Sequence, residues 1–456
     1  MSIEIKPSRQ ENIIARLERI PYSFWHVKMR LIVGVATFFD AFDAVTIAYV
    51  LPVIVPLWKI SPTEIGSLIA ISYIGQLIGA VFFGWYAERS GRIRALIWAV
   101  AIMGVMSLLC ATSWGYGSLL LFRFIQGFGL GGEVPIAATY INELSKARGR
   151  GKFILLYELI FVVGLVMASL LGFWVVPHLG WHYMFLIGGI PALAIPLFVK
   201  GLPESPRWLA SKNRFDEAEK IVDNIEEIVS KNGQISLPPV INSDIKVKEI
   251  KSDWRELFQG IYLRRTLTVW VIWFCAYFVT YGLTTWLPSL YSQVYKLPLQ
   301  QSLLFSLITS IAGLVGAFSC AMLIDKVGRK IWFSIAFFGG AFFMFILWNT
   351  GAGTPYLVLL YASLSYVFIA SISLALYLYS PEIYPTRMRA LGSSVGSGWL
   401  RIASALGPIF TGLILSAYGS IDLVFAMFAI VALIGGIITA FFAIETKGRI
   451  LEEVSP

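Results

Sequence analysis

The sequence predicts an all-α membrane protein, with about twelve transmembrane helices arranged as two six-helix bundles. Three observations predict it. The 456 residues are 57% hydrophobic and only 14% charged, with a mean hydropathy of +0.74, where a soluble chain carries about 25% charged residues. About twelve apolar runs are long enough to cross a ~30 Å hydrocarbon core, which takes about 20 helical residues. The chain also repeats itself: "ERSGRIR" at 88–94 returns as "DKVGRK" at 325–330, and Glu143 with Arg148 returns as Glu382 with Arg387 at nearly the same offset.

Residues 1–30 form a polar, charged N-terminal segment. It lacks the short apolar core and small-residue cleavage site of a signal peptide, so the first span is expected to act as an uncleaved signal. Spans at 31–56, 63–86, 94–113, 116–142, 152–176 and 182–199 make a first bundle over 31–200. A charged linker follows at 201–264, in which "NRFDEAEKIVDNIEEIV" spaces its apolar residues as a surface helix does. Spans at 266–290, 300–324, 331–350, 355–380, 391–416 and 421–443 make a second bundle over 265–443, with a tail at 444–456.

The net charge of +9 is a matter of topology. Every Lys and Arg except Lys59, Lys296, Arg123 and Arg401 falls on the side of both termini or at its boundary. By the positive-inside rule both termini and the linker are cytoplasmic, in a multi-pass protein of the plasma membrane. The basic balance is therefore no nucleic-acid footprint; the partners expected are the lipid bilayer, a small-molecule substrate and a proton, with the monomer as the working unit. Cys110, Cys275 and Cys320 lie far apart in apolar spans and read as small core residues rather than a disulfide or metal set. His26, His178 and His182 sit at span ends, which argues against a histidine relay at mid-membrane. No nucleophile–base pair and no metal cluster is visible, so neither an enzyme nor a cofactor is expected.

"GWYAERSGRIR", "RFIQGFGLGGEVP", "LPESPRWL", "DKVGRK", "PEIYPTRMRALG" and "ETKGRILEE" occur in that order along almost the whole chain. Together they resemble the major facilitator superfamily, in particular its sugar-porter and synaptic-vesicle-glycoprotein-like branches. "FFDAFDAV" in span one, "YGLTTWLP" in span seven and "RIASALGP" in span eleven are most similar to niacin-transporter-type and aromatic-acid:proton-symporter-type members. The resemblance implies the major facilitator fold, with a substrate held between two repeats near the bilayer midplane.

Charges inside apolar runs are costly and mark function by default. Helix rise places Asp40 at about 14 Å, Asp43 at about 18 Å, Arg123 at about 21 Å and Arg401 at about 15 Å from the inner surface. Glu133 and Glu158 lie lower, at about 6 and about 9 Å. In the family resembled, spans one and four line the central cavity, which allows Arg123 to pair with Asp43 or Asp40. The pair is either a fixed structural bridge or a proton-sensitive switch. The corresponding residues of sugar porters are associated with proton coupling, which favours the switch. Arg401 stands in an "R-x-x-x-x-x-G-P" pattern that the resemblance makes a candidate anchor for an anionic solute; its alternatives are pairing with Glu158, with Asp40 or with a neighbouring helix's carbonyls. Glu133 and Glu158 are expected either as secondary proton carriers or as part of an inner gate. Gly127, Gly129, Gly131 and Gly132 lie in an apolar helix with no preceding strand, so they read as helix-packing residues rather than a dinucleotide fingerprint.

At the cytoplasmic turns, Glu88, Arg89, Arg92, Arg94, Glu143, Arg148, Asp325, Arg329, Glu382, Arg387 and Arg389 are expected to form inter-helix salt bridges that hold an inner gate shut in one state. Each exposed pair is worth about 0–1 kcal/mol, but a cluster can bias two states separated by a few kcal/mol. For the solute, Tyr73 and Gln76 of span two, Trp273, Tyr277 and Tyr281 of span seven and Tyr377 of span ten are the expected lining. The Gln and Asn positions of sugar porters read Cys275, Ala276 and Tyr281 here, and those of span five read Glu158 and Leu165. An acidic position of phosphate-transporting relatives falls at Tyr277. Sugar and phosphate are disfavoured accordingly. The expected activity is proton symport of a small, planar organic acid, with a sugar or polyol symporter and a non-transporting receptor as alternatives.

Overall fold

The computed structural model describes residues 8–145, 150–230, 236–240 and 254–447; the side chains of 150–156, 158, 374, 386, 387, 389 and 390 are outside that description. Arg148 therefore lies outside the described residues, as do the side chains of Glu158, Arg387 and Arg389.

Among the described residues, twelve helices are long and apolar enough to cross a bilayer. Six make one bundle: α2 (Phe24–Trp58), α3 (Pro62–Ser90), α4 (Arg92–Ala111), α5 (Tyr116–Leu144), α6 (Arg150–His178) and α7 (His182–Val199). Six make the other: α10 (Gly260–Ser289), α11 (Leu299–Val327), α12 (Arg329–Asn349), α13 (Pro355–Glu382), α14 (Thr386–Tyr418) and α15 (Ile421–Phe442). Each bundle has an even number of spans, so the first and last described residues lie at the same end of the molecule, its terminal end. Several helices continue past their apolar stretch at the terminal end: α2 starts at Phe24 and α14 at Thr386, both ahead of the apolar run.

Local chemistry sets the turns. At the far end Ser61 and Glu64 cap α3 reciprocally, Glu64 Oε2 accepting from the Ser61 N–H at 2.8 Å. At the terminal end α3 passes into α4 through Gly91 at φ 103°, and α11 into α12 through Gly328 at φ 107°. Both are conformations that favour glycine, and a Cβ would collide with the carboxylate of Glu204 at the first and of Glu445 at the second. Within the first bundle α3 and α5 touch backbone to backbone. A Cβ on Gly127 or Gly131 would run into the main chain of Ser72 or Gln76, and one on Gly75 or Gly79 into that of Phe124 or Phe128.

The sequence shows one region only as a polar segment, and the structure gives it shape. Helix α1 (Arg9–Arg19) lies at the terminal end against α8 (Pro206–Ser211) and α9 (Phe215–Val229). Ile13, Leu17 and Ile20 are buried with Val222 and Ile225. Around this small core Arg9 pairs with Asp216 and Glu219 at 2.5 and 2.7 Å, and Arg16 with Asp223 and Glu226 at 2.5 and 2.6 Å. Arg19 also reaches Glu226, at 2.8 Å, and Arg207 reaches Glu18 at 2.6 Å.

The two bundles meet along α3 with α14, α6 with α11 and α2 with α10. At the far end the fit is tight: Gly66 faces the Pro408 carbonyl and Gly412 faces that of Pro62. Towards the terminal end it loosens. A Cβ on Gly84 or Gly398 would meet nothing within 4 Å, and a vestibule opens there between α3, α5 and α14, lined by residues including Glu88, Arg92, Thr139, Ser394 and Ser397. The molecule is closed at the far end and open at the terminal end.

Candidate functional site

A cavity of about 140 Å³ lies between the bundles, close to mid-depth. That is room for one small solute rather than a drug-sized one. Asp40, on α2, is 6% exposed and Arg401, on α14, is 7% exposed; both line it. They belong to opposite bundles and form no ion pair. Arg401 Nη1 makes only a long bond of 3.4 Å to the Ser397 carbonyl one turn back, and neither Arg401 Nε nor Asp40 Oδ1 has a hydrogen-bond partner. Arg401 also lines the vestibule, so it stands in the wall between the two spaces.

Asp43 and Arg123 lie elsewhere, outside the central cavity that spans one and four were expected to line. They occupy a packed seam between α2, α4, α5 and α7, outside the cavity lining. The expected Asp43–Arg123 ion pair is not formed either. Gln126 stands between them: its amide accepts from Arg123 Nη1 at 2.9 Å and donates to Asp43 Oδ2 at 3.2 Å. Arg123 Nη1 also donates to the Asp43 backbone carbonyl at 3.1 Å, and Ser107 Oγ lies 3.1 Å from Asp43 Oδ1. The physical reason is spacing. Gln126 is three residues from Arg123 on the same helix face, and its short amide fills the gap that a direct pair would have to collapse. Glu133 is in neither place: it is fully buried, accepting from Thr37 Oγ1 at 2.9 Å, and the Thr37 hydroxyl in turn contacts that of Tyr157.

Tyr73, Gln76, Tyr277, Tyr281 and Tyr377 line the cavity. Tyr277 and Tyr281 stack with centroids 5.9 Å apart, and Tyr73 crosses from the other bundle to within 5.1 Å of Tyr281. Trp273 stands behind this wall rather than in it. It stacks on Tyr277 at 5.4 Å, meets Tyr377 edge-on at 4.9 Å, and donates from Nε1 to Ser380 at 2.8 Å. Lining residues that the sequence reading passed over include Tyr49, Ser169, Thr280, Ser310, Tyr366 and Ser373. Tyrosines and hydroxyl residues are common in apolar spans, so none of these stood out.

At the terminal end the charged turns fall into two matching sets. Arg92 pairs with Glu88 and Glu143 at 2.8 and 2.9 Å; Arg329 pairs with Asp325 and Glu382 at 2.7 and 3.1 Å. Glu204 accepts from the N–H groups of Arg92 and Ile93, and Glu445 from those of Arg329 and Lys330, each sealing a helix N-terminus. Burial pushes the Glu204 carboxyl above its ordinary value against these donors. Glu445 ends below its ordinary value, because its backbone donors outweigh burial. Both acids sit in quoted motifs, and that position just after each bundle's last span was the available signal. Arg89 pairs with no acid among the described residues and lies over the Trp85 ring at 4.5 Å. Every ion pair described lies within one half of the molecule, so in this conformation these groups brace each bundle and do not hold a gate across the two.

Two membrane-spanning helical bundles with a partly charged cavity between them, and a vestibule beside it towards the terminal end, have the architecture of a membrane transporter. The chain belongs to the sugar (and other) transporter family of the major facilitator superfamily, which residues 32–456 match. It is similar to the niacin transporter NiaP of Acinetobacter baylyi, at 35% identity over 97% of this chain and 99% of that one. It is also similar to the synaptic vesicle 2-related protein of Bos taurus, at 27% identity over 96% of this chain and 82% of that one. Among solved structures, the partially occluded inward-open xylose transporter XylE from E. coli shares the fold with a TM-score of 0.75, at 19% identity, covering 94% of this chain and all of that one. The protein is a multi-pass membrane transporter of small molecules and not an enzyme.

Proposed function

We propose that the protein is a proton symporter for a small aromatic monocarboxylate of the niacin kind, working as a monomer in the plasma membrane with its terminal end in the cytoplasm. The observation that carries this reading is the presence of one cation and one carboxylate, Arg401 and Asp40, unpaired in the lining of one aromatic-walled cavity. A guanidinium offers a planar fork to a carboxylate, and Tyr277, Tyr281 and Tyr73 offer faces to a flat ring. The name of the niacin transporter, the relative matched over nearly all of its length, supports the same class.

Charge balance couples the proton to the solute. With Asp40 ionised and Arg401 charged the cavity is neutral, and a bound anion leaves it one charge negative. Burying an uncompensated charge costs several kcal/mol, and a proton on Asp40 removes the excess. Each ligand therefore raises the affinity for the other. Asp43, in the seam beside Arg123 and Gln126, is placed to take a second part in the cycle: a proton there loosens the contacts that tie α2 to α4 and α5. Glu133, buried against Thr37, is assigned as a secondary carrier.

The test is uptake of labelled nicotinate into proteoliposomes under an imposed pH gradient. Uphill accumulation is expected in the parent, with D40N and D43N losing accumulation while keeping exchange. Competition by hexoses or xylose but not by aromatic acids would overturn the substrate class in favour of a sugar symporter. Gradient-independent uptake would overturn the coupling.

A further inference from the structure

In the cavity wall, on its far-end side, three hydroxyl groups from three helices meet. Tyr49 of α2 and Ser169 of α6 belong to one bundle, and their oxygens are 2.5 Å apart. Ser310 of α11 belongs to the other; Ser169 Oγ lies 2.9 Å and Tyr49 OH 3.3 Å from its oxygen. Tyr49 and Ser169 are 4% and 1% exposed. Elsewhere among the described residues the bundles touch through apolar side chains, tyrosine rings and close-packed glycines, with one long polar contact of 3.5 Å from Gln293 Nε2 to the Pro52 carbonyl.

We propose that Ser310, bonded to Ser169 and Tyr49 across the bundle interface, is the latch that holds the far mouth shut and that releases when the transporter opens the other way. Hydrogen-bond bookkeeping makes the latch reversible. Ser169 Oγ has a fallback acceptor in the Leu165 carbonyl at 3.0 Å, and Ser310 Oγ one in the Ser306 carbonyl at 3.1 Å, each a turn back on its own helix. When the bundles part, Tyr49 keeps Ser169, both serines turn to those carbonyls, and no buried hydroxyl is left without a partner. The closed state thus gains ordinary neutral hydrogen bonds rather than an ion pair. A bond of that kind contributes modestly, which suits an equilibrium between two states of similar free energy. A charged latch here would be far harder to open.

The experiment uses two cysteine reporters in full-length reconstituted protein, since Cys110, Cys275 and Cys320 are buried and leave a clean background. I409C reports on the far mouth, where Ile409 packs against Gly66; S394C reports on the open vestibule. Adding S310A should raise the maleimide reaction rate of I409C about tenfold, which is ~1.4 kcal/mol in the equilibrium, and slow that of S394C. Adding Y49F, which leaves the Ser169–Ser310 bond, should move both rates in the same directions by less. General loosening would raise both rates, and that outcome, or no change in either, overturns the latch. As a second measurement, an S169C/S310C pair should oxidise to a disulfide that stops transport until it is reduced; transport continuing through the cross-linked protein overturns it equally.

Discussion

Arg123 is fully buried, yet only Nη1 of its guanidinium is hydrogen-bonded; Nε and Nη2 have no acceptor. Its charge therefore depends on Gln126, the one side chain that relays it to Asp43. Replacing Gln126 with Leu strips Asp43 Oδ2 of its donor and Arg123 of its side-chain acceptor, and leaving a buried group unsatisfied in this way costs ~1–3 kcal/mol. Q126L is expected to melt several degrees below the parent in a thermal-shift assay and to transport poorly. Arg401 poses the opposite case, a cation held in reserve. R401K keeps the charge but loses the planar fork, so KM for an aromatic acid should rise about 10- to 100-fold, measured by uptake at saturating pH gradient. The charges themselves were legible, because an Asp or Arg in an apolar run is conspicuous. What sequence spacing did not show was the partition of four charges between a cavity and a seam. Helix rise gives depth along a helix, whereas partition depends on which way each face is turned. The Gln126 relay had a usable signal in its three-residue spacing from Arg123.

At the scale of elements, α1 shows how charge and packing share one small interface. An isolated 11-residue helix is marginal in water, so α1 owes its order to Ile13, Leu17 and the arginine contacts with α9. Its sequence signal was present in the Ser8–Glu11 capping box ahead of apolar positions. The interface has a pH dependence of known sign. Hydrogen bonds from Arg9 hold the Glu219 carboxyl below its ordinary value of 4.5 when α1 is docked. Docking is therefore favoured by this group above that value and loses the contribution as pH falls through the lowered one. Hydrogen exchange, corrected for intrinsic rates, should show α1 amides losing protection at pH 4 relative to pH 7 while α3 and α5 keep theirs. Those two helices answer to a different constraint. G127A drives a methyl group into the Ser72 main chain, and overpacking of this kind costs ~1–3 kcal/mol; a lowered melting temperature is the expected reading. The role of Gly127 and Gly131 in packing was legible from small-residue spacing in an apolar helix.

At the scale of the whole molecule the duplication is chemical as well as topological. Gly91 with Glu204 and Gly328 with Glu445 solve the same turn in the same way, and Arg92 and Arg329 each gather two acids around it. Twelve spans and the two-bundle fold could be read from hydropathy and the repeated motifs, since both follow from composition along the chain. The state of the molecule could not: closure at the far end rests on Gly66, Gly412 and three hydroxyls, residue types that carry no distinctive pattern.

The confinement of the described ion pairs to single halves has a consequence for experiments in different electrolytes. Exposed charge pairs weaken as the Debye length shrinks from about 10 Å at 0.1 M to about 3 Å at 1 M, whereas contacts between buried hydroxyls and glycines do not. The balance between the two mouths should thus be nearly indifferent to sodium chloride concentration, while the seat of α1 on its neighbours loosens in the same brine.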